Sequence, residues 1–187
     1  MTRRGLLEGL LSGGIWSALQ GRLAAGEPAS MGEVEALRQN WRALLPEGMT
    51  VPLPTEKLKL ARDEWRKRLA PDQFYILRDE GTERPGSSPL NDEKRPGVFT
   101  CAGCGLAVFT SAMKYDSGTG WPSFFVTIPG IFETRTDFKL IFPRTEYHCA
   151  RCGGHHGHVF SDGPRPTGKR WCNNGLALEF IPKSGKT

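Results

Sequence analysis

The sequence predicts a mainly β, α+β protein in which a helical N-terminal part lies against an antiparallel β sheet or barrel. Two observations carry this. Apolar residues recur at helical spacing up to about residue 80, and from Gly97 onward the pattern changes to short β-prone runs separated by turn residues. Composition agrees, because 23 glycines and 14 prolines in 187 residues favour a turn-rich fold of one domain with some extra segments.

Residues 1–30 begin with Arg3-Arg4, followed by an uncharged stretch from Gly9 to Gly21 and the small residues Ala24, Ala25 and Gly26. That stretch is too short to span a bilayer, so no stable membrane insertion is expected. Its length suits the apolar region of a secretory signal, and the arginine pair suits a twin-arginine export signal to the bacterial periplasm. Glu8 and Arg22 interrupt it, and the alternative is a helix or tail of a cytoplasmic protein.

An extra N-terminal helix and linker is expected over 31–54. Ser30 and Glu33 have capping-box spacing, Val34, Leu37, Trp41 and Leu44 follow one helical face, and Pro46 stops the run. A second helix is expected from about Thr55 to Leu69, with Leu58, Ala61, Trp65 and Leu69 as its apolar stripe. Pro71 suits the first turn of a third, PDQFYILRD, which Gly81 terminates. The β-prone runs are 98–100, 106–110, 124–128, 138–142, 158–160 and 177–181. The last residues, 185–187, form a tail.

A net charge of +5 is modest, and acids are interspersed with the bases. No run of Lys or Arg marks a nucleic-acid arm, so no nucleic-acid partner is expected.

The thiols and imidazoles are concentrated. Cys101-Ala102-Gly103-Cys104 and Cys149-Ala150-Arg151-Cys152 are two C-x-x-C knuckles. Two such pairs from distant parts of the chain predict one closed tetrahedral zinc site, structural because no coordination position stays open. Cys172 is then left as a free thiol. Arg170 shares its face if 170–172 is extended, and a guanidinium beside a thiol lowers the thiol pKa. All four histidines (His148, His155, His156, His158) lie nearby in sequence and offer a proton donor. A thiolate, a cation and a proton donor describe an activated nucleophile; the alternative is a buried, inert cysteine. His156 and His158 share a face of a regular strand, whereas His155 and His158 do so only if Gly157 bends the chain.

The blocks EWRKRLAPDQFYILRDEGTERP, GVFTCAGCG, KYDSGTGWPSF, RTEYHCARCGGHHGHVFSDGPRPTGKRWCNN and ALEF follow one another from about Thr55 to Ile181. Together they resemble the B-type peptide methionine sulfoxide reductases, which act on the R epimer of the sulfoxide. The resemblance implies a catalytic domain over 55–184, with two antiparallel sheets forming a barrel-like core and N-terminal helices packed on it. It implies Cys172 as nucleophile and His155 and His158 as the histidine pair. Arg170, Asp162 and Asn174 become polar groups of the active site, and Trp121 the aromatic wall that receives the substrate methyl group. Methionine R-sulfoxide in oxidised proteins, with the free amino acid as a further candidate, becomes the substrate, repaired through a cysteine sulfenic acid, and the chain is expected to be a monomer.

Four departures stand out. No cysteine beyond the knuckles and Cys172 is present, so an external reductant, a thioredoxin-like protein or a small thiol, is expected to regenerate the enzyme. Gly86 and Gly175 replace an aromatic residue and a serine of the family pattern, and His156 replaces an apolar one. The competing reading is a zinc-stabilised binding module, in which Cys172 is dispensable. A zinc hydrolase would need an open site of the H-E-x-x-H kind, which is not in the sequence.

Overall fold

The computed structural model describes residues 30–138 and 143–183. The proposed export signal therefore lies outside the described residues, apart from Ser30. Helix α1 spans Met31–Gln39 and begins with the expected Ser30–Glu33 capping box. Its apolar stripe continues past Asn40 into a 3₁₀ turn, Trp41–Leu44, which buries Trp41 and Leu44. The second helix is shorter than predicted: α2 is Arg62–Arg68. The preceding segment bonds elsewhere, with the Leu58 amide donating to the Arg151 carbonyl at 2.8 Å and Lys57 Nζ to the Ala150 carbonyl at 2.5 Å. These ties to the second knuckle replace a helical turn. Helix α3 is Pro71–Asp79, with Pro71 in its first turn and Glu80 in the left-handed conformation at its end.

Among the described residues nine strands follow: β1 Gly97–Cys101, β2 Ala107–Thr110, β3 Lys114–Tyr115, β4 Ser123–Phe124, β5 Phe132–Asp137, β6 Arg144–Cys149, β7 His155–Phe160, β8 Arg170–Asn173 and β9 Leu178–Pro182. They form two antiparallel sheets, ordered β2-β1-β9 and β3-β4-β8-β7-β6-β5. The barrel-like expectation is corrected: both sheets are open, and the larger ends on β3 and β5 without pairing them. Of the run 124–128 only Phe124 is in a strand. Of the run 138–142, Phe138 is exposed outside any strand and 139–142 lie outside the described residues. The polar stretch FETRTD forms β5 instead; at this sheet edge its middle is exposed, which hid it from an apolar-run search.

Aromatic rings join the sheets. Phe109 of the small sheet stacks on Phe124 of the large one at 3.8 Å between centroids, and Phe99 meets Phe124 edge-on at 5.2 Å. Each such buried ring removes on the order of 150–250 Å² from water, which makes this seam the main apolar stabilisation between the sheets.

Each C-x-x-C knuckle forms a hairpin turn. Cys101 closes β1 and Cys104 precedes β2; Cys149 closes β6 and Cys152 precedes β7. Gly105 and Gly153 follow the second cysteine of each knuckle with φ of 73° and 68°, a conformation that glycine adopts without steric cost. One knuckle therefore belongs to each sheet.

Candidate active site

The knuckles meet. All four thiols are buried, Cys101 and Cys152 Sγ lie 3.7 Å apart, and Cys104 and Cys149 Sγ 3.5 Å. Sulfurs held about 2.3 Å from a tetrahedral ion are separated by roughly 3.8 Å. The arrangement thus fits a metal ion, and four thiols this close cannot all ionise without one.

Cys172 lies apart, half-buried on β8, and lines a cavity of about 250 Å³ together with Trp121, His158, Arg170, Asn174 and Thr119. Strand register builds this wall. Tyr115, Ser123, Cys172, His158, Glu146 and Arg135 are successive partners across the six strands. Directly paired residues project from one face, with Cβ atoms about 4.5–5.5 Å apart. His158 therefore stands beside Cys172. Gly157 permits this pairing: a Cβ there would fall 2.0 Å from the Cys172 carbonyl oxygen.

The histidines divide. A shift in register between Tyr147 and His148 lets His155 pair with His148, and the His155 and His158 rings lie 5.6 Å apart. His155 and His158 thus share a face, as the resemblance implies. His155 nevertheless does not line the cavity. It is buried with its Nδ1 against Glu146 Oε1, and burial holds its pKa down at about 4. His158 Nε2 instead meets Asp137 Oδ2 at 2.8 Å, and Asp137 also accepts from Arg144 at 2.7 Å. Burial lowers the His158 pKa, while the bond to Asp137 opposes that shift. His156 points the other way, with Nδ1 3.1 Å from Asn173 Oδ1, which also accepts from the Tyr147 hydroxyl at 2.8 Å.

The expectation for the thiol reverses in sign. Arg170 does favour the thiolate, and so does a hydrogen bond from Thr119, but burial outweighs both and raises the Cys172 pKa. Arg170 is moreover held bidentate by Asp162, at 2.9 and 2.8 Å, which offsets its charge. Asp162 itself is mostly exposed and does not line the cavity; it orients Arg170.

Trp121 and Asn174 share one anchor that sequence reading missed. The Trp121 indole donates to the Glu83 carbonyl at 3.1 Å, and the Glu83 amide donates to Asn174 Oδ1 at 3.0 Å. The buried Glu83 carboxylate accepts from the Gly175 and Leu176 amides at 2.6 and 2.9 Å. Asp137 and Arg144 were missed too, since nothing in their spacing marks them. Thr119 had a signal: it sits between Gly118 and Gly120 in the DSGTG turn, and both glycines take a positive φ there. At Gly86, where the family pattern has an aromatic, the amide donates to the Gly120 carbonyl at 2.7 Å and the rim is open.

The site is a free thiol beside an imidazole and a tryptophan in a small cavity, on a two-sheet scaffold with a separate four-thiol cluster. The SelR domain model matches residues 69–182. A chloroplastic peptide methionine sulfoxide reductase of Arabidopsis thaliana is 47% identical over 136 residues, covering 72% of this chain and 67% of that protein. Relatives of the same name from Leifsonia xyli subsp. xyli (50% identical, 65% of this chain, 88% of theirs) and Pseudomonas paraeruginosa (46%, 69%, 98%) match as well. The chain belongs to the B family of peptide methionine sulfoxide reductases.

Proposed function

We propose that this oxidoreductase reduces the R epimer of methionine sulfoxide in oxidised proteins, with Cys172 as nucleophile and His158 as proton donor. The pairing of these two residues on adjacent strands, inside one cavity with Trp121, carries the reading. The substrate methyl group rests on Trp121. Cys172 attacks the sulfoxide sulfur as the thiolate, and His158 imidazolium protonates the sulfoxide oxygen. The attack forms a bond between the two sulfurs. The protonated oxygen then passes to Cys172 as that bond and the substrate sulfur–oxygen bond break. The substrate sulfur thus gains two electrons and leaves as methionine, and Cys172 loses two and becomes the sulfenic acid, which keeps the oxygen and its proton. Two equivalents of an external thiol then return Cys172 to the thiol, releasing water and a disulfide. An external donor is needed because the other four cysteines are buried together.

Asp137 keeps His158 in register and favours its protonated form. Arg170, held by Asp162, favours the thiolate once substrate excludes water. Asn174 shapes the wall and does not itself exchange protons. His155 supports His158 from behind. Cys101, Cys104, Cys149 and Cys152 would hold one structural Zn²⁺ that clamps one sheet to the other. No described helix is long and apolar enough to cross a membrane. Export of a monomer to the periplasm through residues 1–30 is part of the proposal; finding the chain in the cytoplasmic fraction alone would remove it.

The deciding experiment assays separate R and S epimers with wild type and Cys172→Ser. The proposal requires turnover of the R epimer by wild type only, and activity confined to the S epimer overturns it. Mass spectrometry after one turnover without reductant must show Cys172 oxidised and not in an internal disulfide.

A further inference from the structure

Beside His158 lies a second cluster of metal-ligating groups, none of which touches the reacting atoms. Glu146, His148 and His155 bring a carboxylate oxygen and two ring nitrogens within 4.8 Å of one another. Glu146 and His155 are 2% and 1% exposed in their side chains, and His148 is 13% exposed. Register explains the convergence: Glu146 and His148 alternate on β6, and the shifted pairing puts His155 of β7 opposite His148.

Two observations point to a ligand. His155 Nε2 is buried without a hydrogen bond, and Glu146 Oε1, His148 Nε2 and His155 Nδ1 are buried against one another, His155 Nδ1 touching Glu146 Oε1, without a hydrogen bond of regular geometry. Groups of this kind are normally satisfied, since leaving one unmade costs about 1–3 kcal/mol. The spacing also suits an ion. Donors about 2.0–2.1 Å from a tetrahedral zinc lie roughly 3.3 Å apart. Glu146 Oε1 is 3.2 Å from His148 Nε2, and His155 Nδ1, which now touches Glu146 Oε1, has to draw back from it when the ion enters. Arg135 does not occupy the position: it binds the other oxygen, Glu146 Oε2, at 2.8 Å and leaves Oε1 turned to the imidazoles. His148 reaches a cavity of about 260 Å³ bounded by Trp65, Arg78 and Glu80, which gives an entry path. Glu80 Oε1 lies 3.9 Å from His148 Nε2, on the same side.

We infer that Glu146, His148 and His155 form a second metal site, separate from the four-cysteine cluster, for a borderline divalent first-row ion such as Zn²⁺ or Co²⁺. Two neutral imidazoles and one carboxylate match that class, whereas Mg²⁺ and Ca²⁺ prefer oxygen donors alone. The ligands are His148 Nε2, His155 Nδ1 and Glu146 Oε1.

The test uses zinc-loaded full-length protein carrying Cys172→Ser, so that the free thiol cannot capture the added ion. Calorimetric titration with Zn²⁺ should show one further ion per chain. His148→Gln in the same background should weaken that binding at least tenfold while retaining the first zinc. In the unsubstituted cluster, ring ¹⁵N resonances of His148 and His155 should shift on Zn²⁺ addition, and those of His156 should not. This second measurement decides the matter even if His148→Gln fails to fold. No second ion, equal binding by the variant, or unmoved His148 and His155 resonances would each overturn the inference.

Discussion

Replacing Glu83 by alanine tests whether one buried carboxylate holds both the aromatic wall and the end of β8. Glu83 Oε1 and Oε2 accept from the Gly175 and Leu176 amides at 2.6 and 2.9 Å. Hydrogen bonds to a charged group contribute about 1.5–3 kcal/mol each, and the alanine leaves both donors unsatisfied. The expected loss is therefore about 3–5 kcal/mol in denaturant unfolding, which for a chain of this size lowers Tm by roughly 6–20 °C. Glu83→Gln keeps one acceptor oxygen and should lose about half as much. The same residue carries Trp121 on its carbonyl and Asn174 on its amide. Freed to move by about 1 Å, these should reduce kcat/KM for the R sulfoxide by roughly 10–100-fold, measured well below the variant's Tm. Partial recovery by glutamine separates positioning from simple unfolding. A stability loss below about 1 kcal/mol with unchanged kcat/KM would refute the reasoning.

Other outcomes follow from the same geometry. His158→Gln should lower kcat/KM by about 10²–10⁴-fold, the usual yield of a general acid, and more than His155→Gln does; the reverse order in steady-state assays would exchange their roles. His156 is held neutral by burial, at a pKa of about 3. Its folded pKa is below the unfolded value of about 6.5, so its contribution is full above 6.5 and is lost as pH falls toward 3. His156→Leu should therefore lose about 2 kcal/mol less than wild type between pH 7 and pH 5, by urea unfolding at each pH. Stripping metal with a chelator should unfold the protein cooperatively, because the four thiols join one hairpin of each sheet; retention of the near-ultraviolet circular dichroism would contradict this. Asp162→Asn should leave folding intact by thermal melting and loosen Arg170; an unaltered Cys172 alkylation rate would show that the pair does not tune the thiol.

Local features were legible in the sequence because their causes are local. The capping box at Ser30, Pro71 in the first turn of α3 and the C-x-x-C spacing each act within a few residues, and each is where it was expected. The start of α2 was misjudged because Leu58 bonds to Arg151, some ninety residues away, which no helical stripe can reveal. Strand β5 was missed because an edge strand carries no apolar run.

The cysteine count and the order of the motifs determined by themselves which sulfur is spare and which residues accompany it. Tertiary structure alone decided how they meet. A one-residue register shift between β6 and β7 put His155 opposite His148, the register of β7 against β8 put His158 opposite Cys172, and the depth of the cavity raised the thiol pKa that Arg170 by itself would lower. Pairing across strands and removal from water depend on chain segments far apart in sequence, so neither can be read from the neighbours of a residue.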